Sequence, residues 1–193
     1  MSELTSVEKA IINAYPFAKI LSSQIDASGF PALTDCPLML LDDNTFIGHL
    51  SCQNSVLANV KKSILVKVIH SGPHGYISPR WHSEQKVPTW NYASISLTCR
   101  LTIINSSDKK LSVLKMLSSC FDPLWSFSEF DNKDNLPQVN AMLSAITVFK
   151  LEILKVDSKF KLSQNRSLVC RQAFQNALIA VGNTELADIQ LLE

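Results

Sequence analysis

Residues 92–104, Tyr92-Ala-Ser-Ile-Ser-Leu-Thr-Cys-Arg-Leu-Thr-Ile-Ile104, alternate between apolar and polar side chains along nearly their whole length. Ala93, Ile95, Leu97, Cys99, Leu101 and Ile103 fall on one side, and Ser94, Ser96, Thr98, Arg100 and Thr102 on the other. A period of two is that of a strand with one buried face, because successive side chains point to opposite faces of a sheet. Its length suggests a strand that curves around a barrel. This stretch sets the fold class as a sheet protein.

Upstream, Ser63 to His70 is rich in Ile and Val and predicts another strand, with a brief helical turn around Ser55 to Val60 before it. Phe17 to Ser23, Ala32 to Leu41 and Thr45 to Leu50 predict three more, separated by turn signals at Asp26 to Gly29 and at Asp42, Asp43 and Asn44. The last pair reads as a hairpin. Near the start, Val7, Ala10, Ile11 and Ala14 recur at helical spacing from Ser6 to Tyr15, and Pro16 forbids continuation.

Downstream, Asp108 is placed to cap a helix that carries Leu111, Leu114, Leu117 and Phe121 near one stripe. Ser126 to Pro137 lacks sustained periodicity and reads as loop, and Gln138 to Ala145 as a short helix. Ile146 to Val156 alternates again as a late strand. Ser167 to Val181 has helical spacing, and Gly182 supplies the stop. Six or so strands in meander order predict an α+β protein built on a mostly antiparallel sheet or barrel, in one domain over 1–193 with a helical segment from about 167. Helices do not alternate regularly with strands, which disfavours parallel α/β winding.

Composition narrows the class of function. With 46% hydrophobic and 18% charged residues the chain is globular. Its longest apolar runs, such as Pro37 to Leu41, are far shorter than the roughly 20 residues of a membrane-spanning helix. The N-terminal MSELTSVEKA lacks the basic flank and apolar core of a secretion signal. Five scattered cysteines without a CxxC pair read as reduced thiols in a cytoplasmic protein.

The net charge of +1 conceals a basic segment, in which Lys150, Lys155, Lys159, Lys161, Arg166 and Arg171 face only Glu152 and Asp157. Without a helix-turn-helix signature this is a weak footprint for direct DNA binding. No nucleophile elbow, phosphate-cradling Gly-rich loop or pair of catalytic carboxylates is present, so no catalytic residue is expected. His74 and His82 lack the HxxxH or carboxylate spacing of a metal site, so no metal is expected either.

Two segments go beyond periodicity: Gly72 to Tyr92, reading GPHGYISPRWHSEQKVPTWNY, and Lys159 to Asn165, reading KFKLSQN. Their Gly-Pro-His, Tyr-Ile-Ser-Pro, Val-Pro-Thr-Trp-Asn-Tyr and Lys-Phe-Lys-Leu-Ser-Gln-Asn elements resemble, in order, those of the PaiB-type family of FMN-binding split-barrel proteins, usually described as transcriptional regulators. Weaker agreement at Tyr15 to Ala18, Cys36 to Leu38 and Gly48 to Leu50 extends the resemblance over roughly residues 10 to 180. It implies a split β-barrel, usually a homodimer, with FMN in clefts at the subunit interface. It also implies a flavin-dependent sensor or regulator; the alternative is a small FMN-dependent oxidoreductase of the pyridoxamine phosphate oxidase-like or flavin reductase-like group.

On that resemblance the candidate cofactor contacts are His49, Ser51, Gln53 and Asn54 of the hairpin, Ser78, and Thr89, Trp90 and Asn91 at the start of the long strand. Lys159, Lys161, Ser163 and Gln164 complete the set. The chain departs from the family where an Ala-Arg-Ala-Asn run is replaced by Ser51-Cys52-Gln53-Asn54, where Thr-His is Asp35-Cys36, and where an aromatic is His82. A flavin phosphate usually needs charge-assisted donors, so the missing arginine leaves three options: Lys159 and Lys161 replace it, FMN binds weakly, or the flavin is lost.

Overall fold

A computed structural model describes residues 3–25, 29–58, 60–125 and 136–192. Seven strands form one sheet: β1 (Phe17–Ile25), β2 (Pro31–Pro37), β3 (Met39–Asp42), β4 (Thr45–Ser51), β5 (Ser63–Ile77), β6 (Thr89–Ile104) and β7 (Ile146–Lys161). Among the described residues five α-helices accompany them: α1 (Ser6–Ala14), α2 (Ser107–Phe121), α3 (Leu136–Ala145), α4 (Leu168–Ala180) and α5 (Thr184–Ile189). The strand order is β2-β1-β5-β6-β7-β4-β3, and the pairings of β1 with β2 and β5, and of β4 with β3 and β7, are antiparallel.

This order makes the sheet curl. β2 and β3 lie at opposite edges, yet only Leu38 separates them in the chain. One continuous segment can serve both edges only if the sheet bends round to bring them together, which is barrel geometry. The single strand expected over Ala32 to Leu41 is therefore two. Pro37 has no amide to continue a ladder, and the Leu38 amide turns away to donate to the Pro16 carbonyl at 2.9 Å.

The chain forms two compact units, one of Met1–His70 with Leu97–Val156 and the other of Ser71–Ser96 with Asp157–Glu193. In the first, Leu97, Cys99 and Leu101 of β6 are buried, as the alternation predicts. Helix α2 lays Val113 and Leu117 on Ile47 and Val148, and Leu114 against Val139 and Leu143 of α3. Asp108 is not the cap: it lies in the first turn of α2, where its charge suits the helix dipole, and Ser106 occupies the cap position. A Cβ at Gly48 would come within 2.8 Å of Leu38 Cδ2 and 3.0 Å of the Phe149 ring, so the glycine of the Gly-His-Leu element is explained by packing.

In the second unit Ile77, Leu162, Cys170, Phe174, Leu178 and Leu186 share a core. The strand expected to stop at His70 runs on to Ile77, so Pro73 and Gly75 lie within β5 and the turns are confined to residues 78–88. Gly75 is there for close approach: a Cβ would meet Asn183 Nδ2 at 2.5 Å and Leu186 Cδ2 at 3.0 Å. Asn183 caps α5 by accepting from the Leu186 amide and donates to the His74 carbonyl at 3.0 Å. Gly182, at φ 81°, ends α4 as its sequence position predicts.

Other differences are extensions. β7 continues past Val156 to Lys161, and α3 begins at Leu136, so Pro137 sits in the first turn of a helix, where its missing amide costs nothing. Most of the loop expected over Ser126 to Pro137, and Asp26 to Ser28 of the early turn, lie outside the described residues. Among the described residues no helix is long and apolar enough to cross a membrane.

Candidate functional site

The longer β7 decides where the KFKLSQN segment goes. Lys159 and Lys161, two residues apart on a strand, project from one face and are exposed. After Lys161 the chain turns, and Ser163 takes the left-handed region at φ 59°, the one non-glycine residue with positive φ among those described. The turn closes as the Arg166 amide donates to the Ser163 carbonyl at 2.9 Å. Gln164 braces it on both sides, accepting from the Leu162 amide at 2.8 Å and donating to the Phe160 carbonyl at 2.7 Å.

Strain at Ser163 is offset by a buried polar web. Asn91 is fully buried; its Oδ1 accepts from Ser163 Oγ at 3.0 Å and its Nδ2 donates to Gln190 Oε1 at 3.1 Å. Gln190 donates in turn to the Leu162 carbonyl at 2.7 Å, and Arg171 donates to the Gln190 and Leu192 carbonyls. Both ends of the Asn91 amide thus have protein partners. Its observed work is to hold the turn that carries Ser163.

Beside this turn lies an open cavity of about 420 Å³, lined by Gln85, Thr89, Lys161, Ser163, Gln164 and Arg166 among others. Lys161 Nζ donates to Thr89 Oγ1 at 2.7 Å, which points the ammonium across the cavity wall. The Arg166 guanidinium makes no hydrogen bond or ion pair among the described residues. The lining contains two cations and no carboxylate, which makes it a place for an anion.

The remaining candidates of this unit stand apart. Trp90 follows Thr89 on β6 and so faces the other way; half exposed, it stacks on His74 with centroids 5.8 Å apart and donates to His74 Nδ1 at 3.3 Å. Ser78 is buried and accepts from the Arg80 amide.

His49, Ser51, Gln53 and Asn54 belong to the first unit. Asn54 is engaged as a cap, accepting from the Val56 amide and donating to Thr34 Oγ1, both at 3.0 Å. Ser51 Oγ accepts from the Gln53 amide, and both residues are exposed. His49 contributes to a mostly apolar cavity of about 360 Å³ with Pro37, Leu117, Phe121 and Trp125. Its Nδ1 has no partner among the described residues, and burial lowers its pKa, which favours the neutral ring. Neighbouring Cys36 donates to the His49 carbonyl at 3.3 Å, and burial pushes its thiol up to about 12, so it is no nucleophile at neutral pH.

Sequence reasoning missed Arg166, which stands just past the recognised motif, and Gln85 and Gln190, which belong to none. Arg166 is marked only as part of the basic segment, and proximity to KFKLSQN could have singled it out.

A curled antiparallel sheet with peripheral helices describes a split-barrel protein. Residues 2–155 match the family described as "Putative FMN-binding domain", and the chain belongs to that family. The KFKLSQN segment lies beyond the matched span. The chain is 28% identical over 142 residues to "Protease synthase and sporulation protein PAI 2" of Bacillus subtilis (strain 168), covering 72% of this chain and 68% of that protein. Among solved structures, the FAD and heme binding protein from Mycobacterium smegmatis shares the fold at a TM-score of 0.60, with 16% identity over 94% of this chain and 80% of that one. A flavocytochrome from Azotobacter vinelandii does so at 0.55, with 19% identity over 79% of this chain and 64% of its own.

Proposed function

We propose that this chain is a noncovalent FMN-binding protein of the PaiB type that acts as a cytoplasmic sensor or regulator. In this reading the flavin phosphate is held in the cavity beside the Ser163 turn, and a second copy of the chain covers the cavity's open side. The observation that carries the reading is the pairing of Lys161 and Arg166 on a lining without a carboxylate. A phosphate monoester carries close to two negative charges near neutrality, and charge-assisted donors are roughly twice as strong as neutral ones. These two cations take the place of the arginine missing from the Ser51 to Asn54 hairpin.

The cavity volume of about 420 Å³ lies within the range of small-ligand sites, which run from about 300 to 1,000 Å³. Thr89 fixes Lys161, the Asn91–Gln190 web fixes Ser163, and the chain therefore orients the phosphate with little rearrangement on binding. When bound, FMN supplies a redox-active chromophore, and a sensor needs no catalytic side chain from the protein.

Calorimetric titration with FMN and with riboflavin tests the phosphate assignment. FMN should bind at least about tenfold more tightly, a difference of about 1.4 kcal/mol. Equal affinity for the two would remove the phosphate from the cavity. Rapid bleaching of bound flavin by NAD(P)H would instead favour the oxidoreductase alternative.

A further inference from the structure

We infer that His82, Glu84 and Cys170 form a binding site for a divalent transition-metal ion of the zinc type. His82 and Glu84 lie in the turn segment after β5, and Cys170 in the first turn of α4. One ligand atom from each, imidazole nitrogen, carboxylate oxygen and thiol sulfur, lies within 4.8 Å of the other two. Zinc bonds of about 2.0–2.3 Å in a tetrahedron place ligand atoms roughly 3.3–3.8 Å apart. The observed cluster needs only a contraction of about 1 Å, within the reach of side-chain rotation.

Hydrogen bonds to neighbouring groups hold two of the three ligands near one another. His82 Nδ1 accepts from the Glu84 amide at 3.3 Å and lies 4.0 Å from Glu84 Oε1, so a metal ion would replace that amide as the partner of its lone pair. The Glu84 carboxylate is held by Ser167, whose amide donates to Oε2 at 3.1 Å and whose hydroxyl donates to Oε1. Those two bonds keep its pKa below the ordinary carboxylate value, with smaller help from His82 and Arg166. A carboxylate oriented by outer hydrogen bonds is the arrangement metal sites use.

Cys170 is fully buried, three residues after the Ser167 cap of α4. Burial, and secondarily Glu84, raise its thiol pKa, so the free protein carries the protonated form. Metal binding forms a metal–sulfur bond and releases that proton to solvent. The thiolate and Glu84 then neutralise the dication, and the positive end of α4 favours the thiolate. Three protein ligands of mixed nitrogen, oxygen and sulfur type leave a fourth position for water.

A purely structural account makes Glu84 a brace for Ser167 and Cys170 a core filler. It makes His82 an acceptor for the Glu84 amide, but gives no reason for a thiol beside that imidazole and carboxylate. The ligands come from segments 86 residues apart, too far for sequence spacing to register.

Cobalt(II), then zinc(II) in competition, should be titrated into the reduced, flavin-free full chain. The expected result is one cobalt per chain with a sulfur-to-cobalt charge-transfer band and tetrahedral d–d bands, all displaced by zinc. Cys170→Ser should abolish the charge-transfer band, and His82→Ala or Glu84→Gln should weaken binding by about tenfold or more. Replacing exposed Cys52 and Cys120 with serine should leave the band intact. If Cys170→Ser fails to fold, the partly exposed His82→Ala decides alone. Absence of saturable binding, a band that survives Cys170→Ser, an affinity unchanged in His82→Ala, or a band lost with Cys52 and Cys120 would overturn the site.

Discussion

Lys161 Nζ donates to Thr89 Oγ1 at 2.7 Å, so the last residue of β7 is tied to the first of β6 beside the cationic cavity. The bond aims an exposed ammonium instead of burying it. Lys161→Gln should therefore weaken FMN binding about tenfold or more while changing unfolding free energy by no more than about 0.5 kcal/mol, as surface substitutions usually do. Paired flavin titrations and urea melts check the two halves of this expectation.

Asn91 should behave in the opposite way. Asn91→Ala strips partners from Gln190 and Ser163 in a buried web, and each group left unsatisfied costs about 1–3 kcal/mol. A loss of about 2–4 kcal/mol in urea unfolding is expected. A cycle with Gln190→Ala should show coupling between the two positions.

Gly75→Ala should destabilise the second unit, because the added methyl meets Asn183 and Leu186 where α5 packs closely. Overpacking of this kind costs about 1–3 kcal/mol. Faster hydrogen exchange in residues 184–192, with little change in residues 97–125, would place the damage as expected.

Stability should also fall in mild acid. His70 is fully buried and stacked 5.5 Å from Phe46, with Nδ1 2.9 Å from the Tyr15 carbonyl and Nε2 without a partner among the described residues. Burial lowers its pKa, and the Tyr15 hydrogen bond offsets this only in part. A depressed folded-state pKa means that the unfolded chain takes up the proton first. The stabilising contribution is complete above the unfolded value near 6.5 and is lost as pH falls toward the folded value, at up to about 1.4 kcal/mol per pH unit. His49 adds to the same trend. Urea midpoints at pH 5.5 and 7.5 should diverge in the wild type and converge in His70→Gln.

The parts of this fold that were legible in the sequence are those a single element decides. The alternation over 92–104 reports the buried face of β6, and Pro16 and Gly182 end helices by local chemistry alone. The break at Leu38 was legible only in part: Pro37 removes a ladder donor by local chemistry, but the carbonyl that takes the Leu38 amide belongs to distant Pro16. The site follows the same division. KFKLSQN marks the turn, but whether Asn91 contacts a ligand or supports Ser163 depends on Gln190, 99 residues away, and the partner of Lys161 stands 72 residues back.

In the proposed function the cavity beside Ser163 holds a flavin through Lys161 and Arg166. The decisive experiment is fluorescence titration of FMN with the wild-type chain and the Lys161→Gln/Arg166→Gln variant. Saturable quenching at one FMN per chain is expected in the wild type, with affinity reduced by about a hundredfold, or about 2.7 kcal/mol, in the double variant. Unchanged FMN emission with excess wild-type protein, or equal affinity in the two proteins, would contradict it.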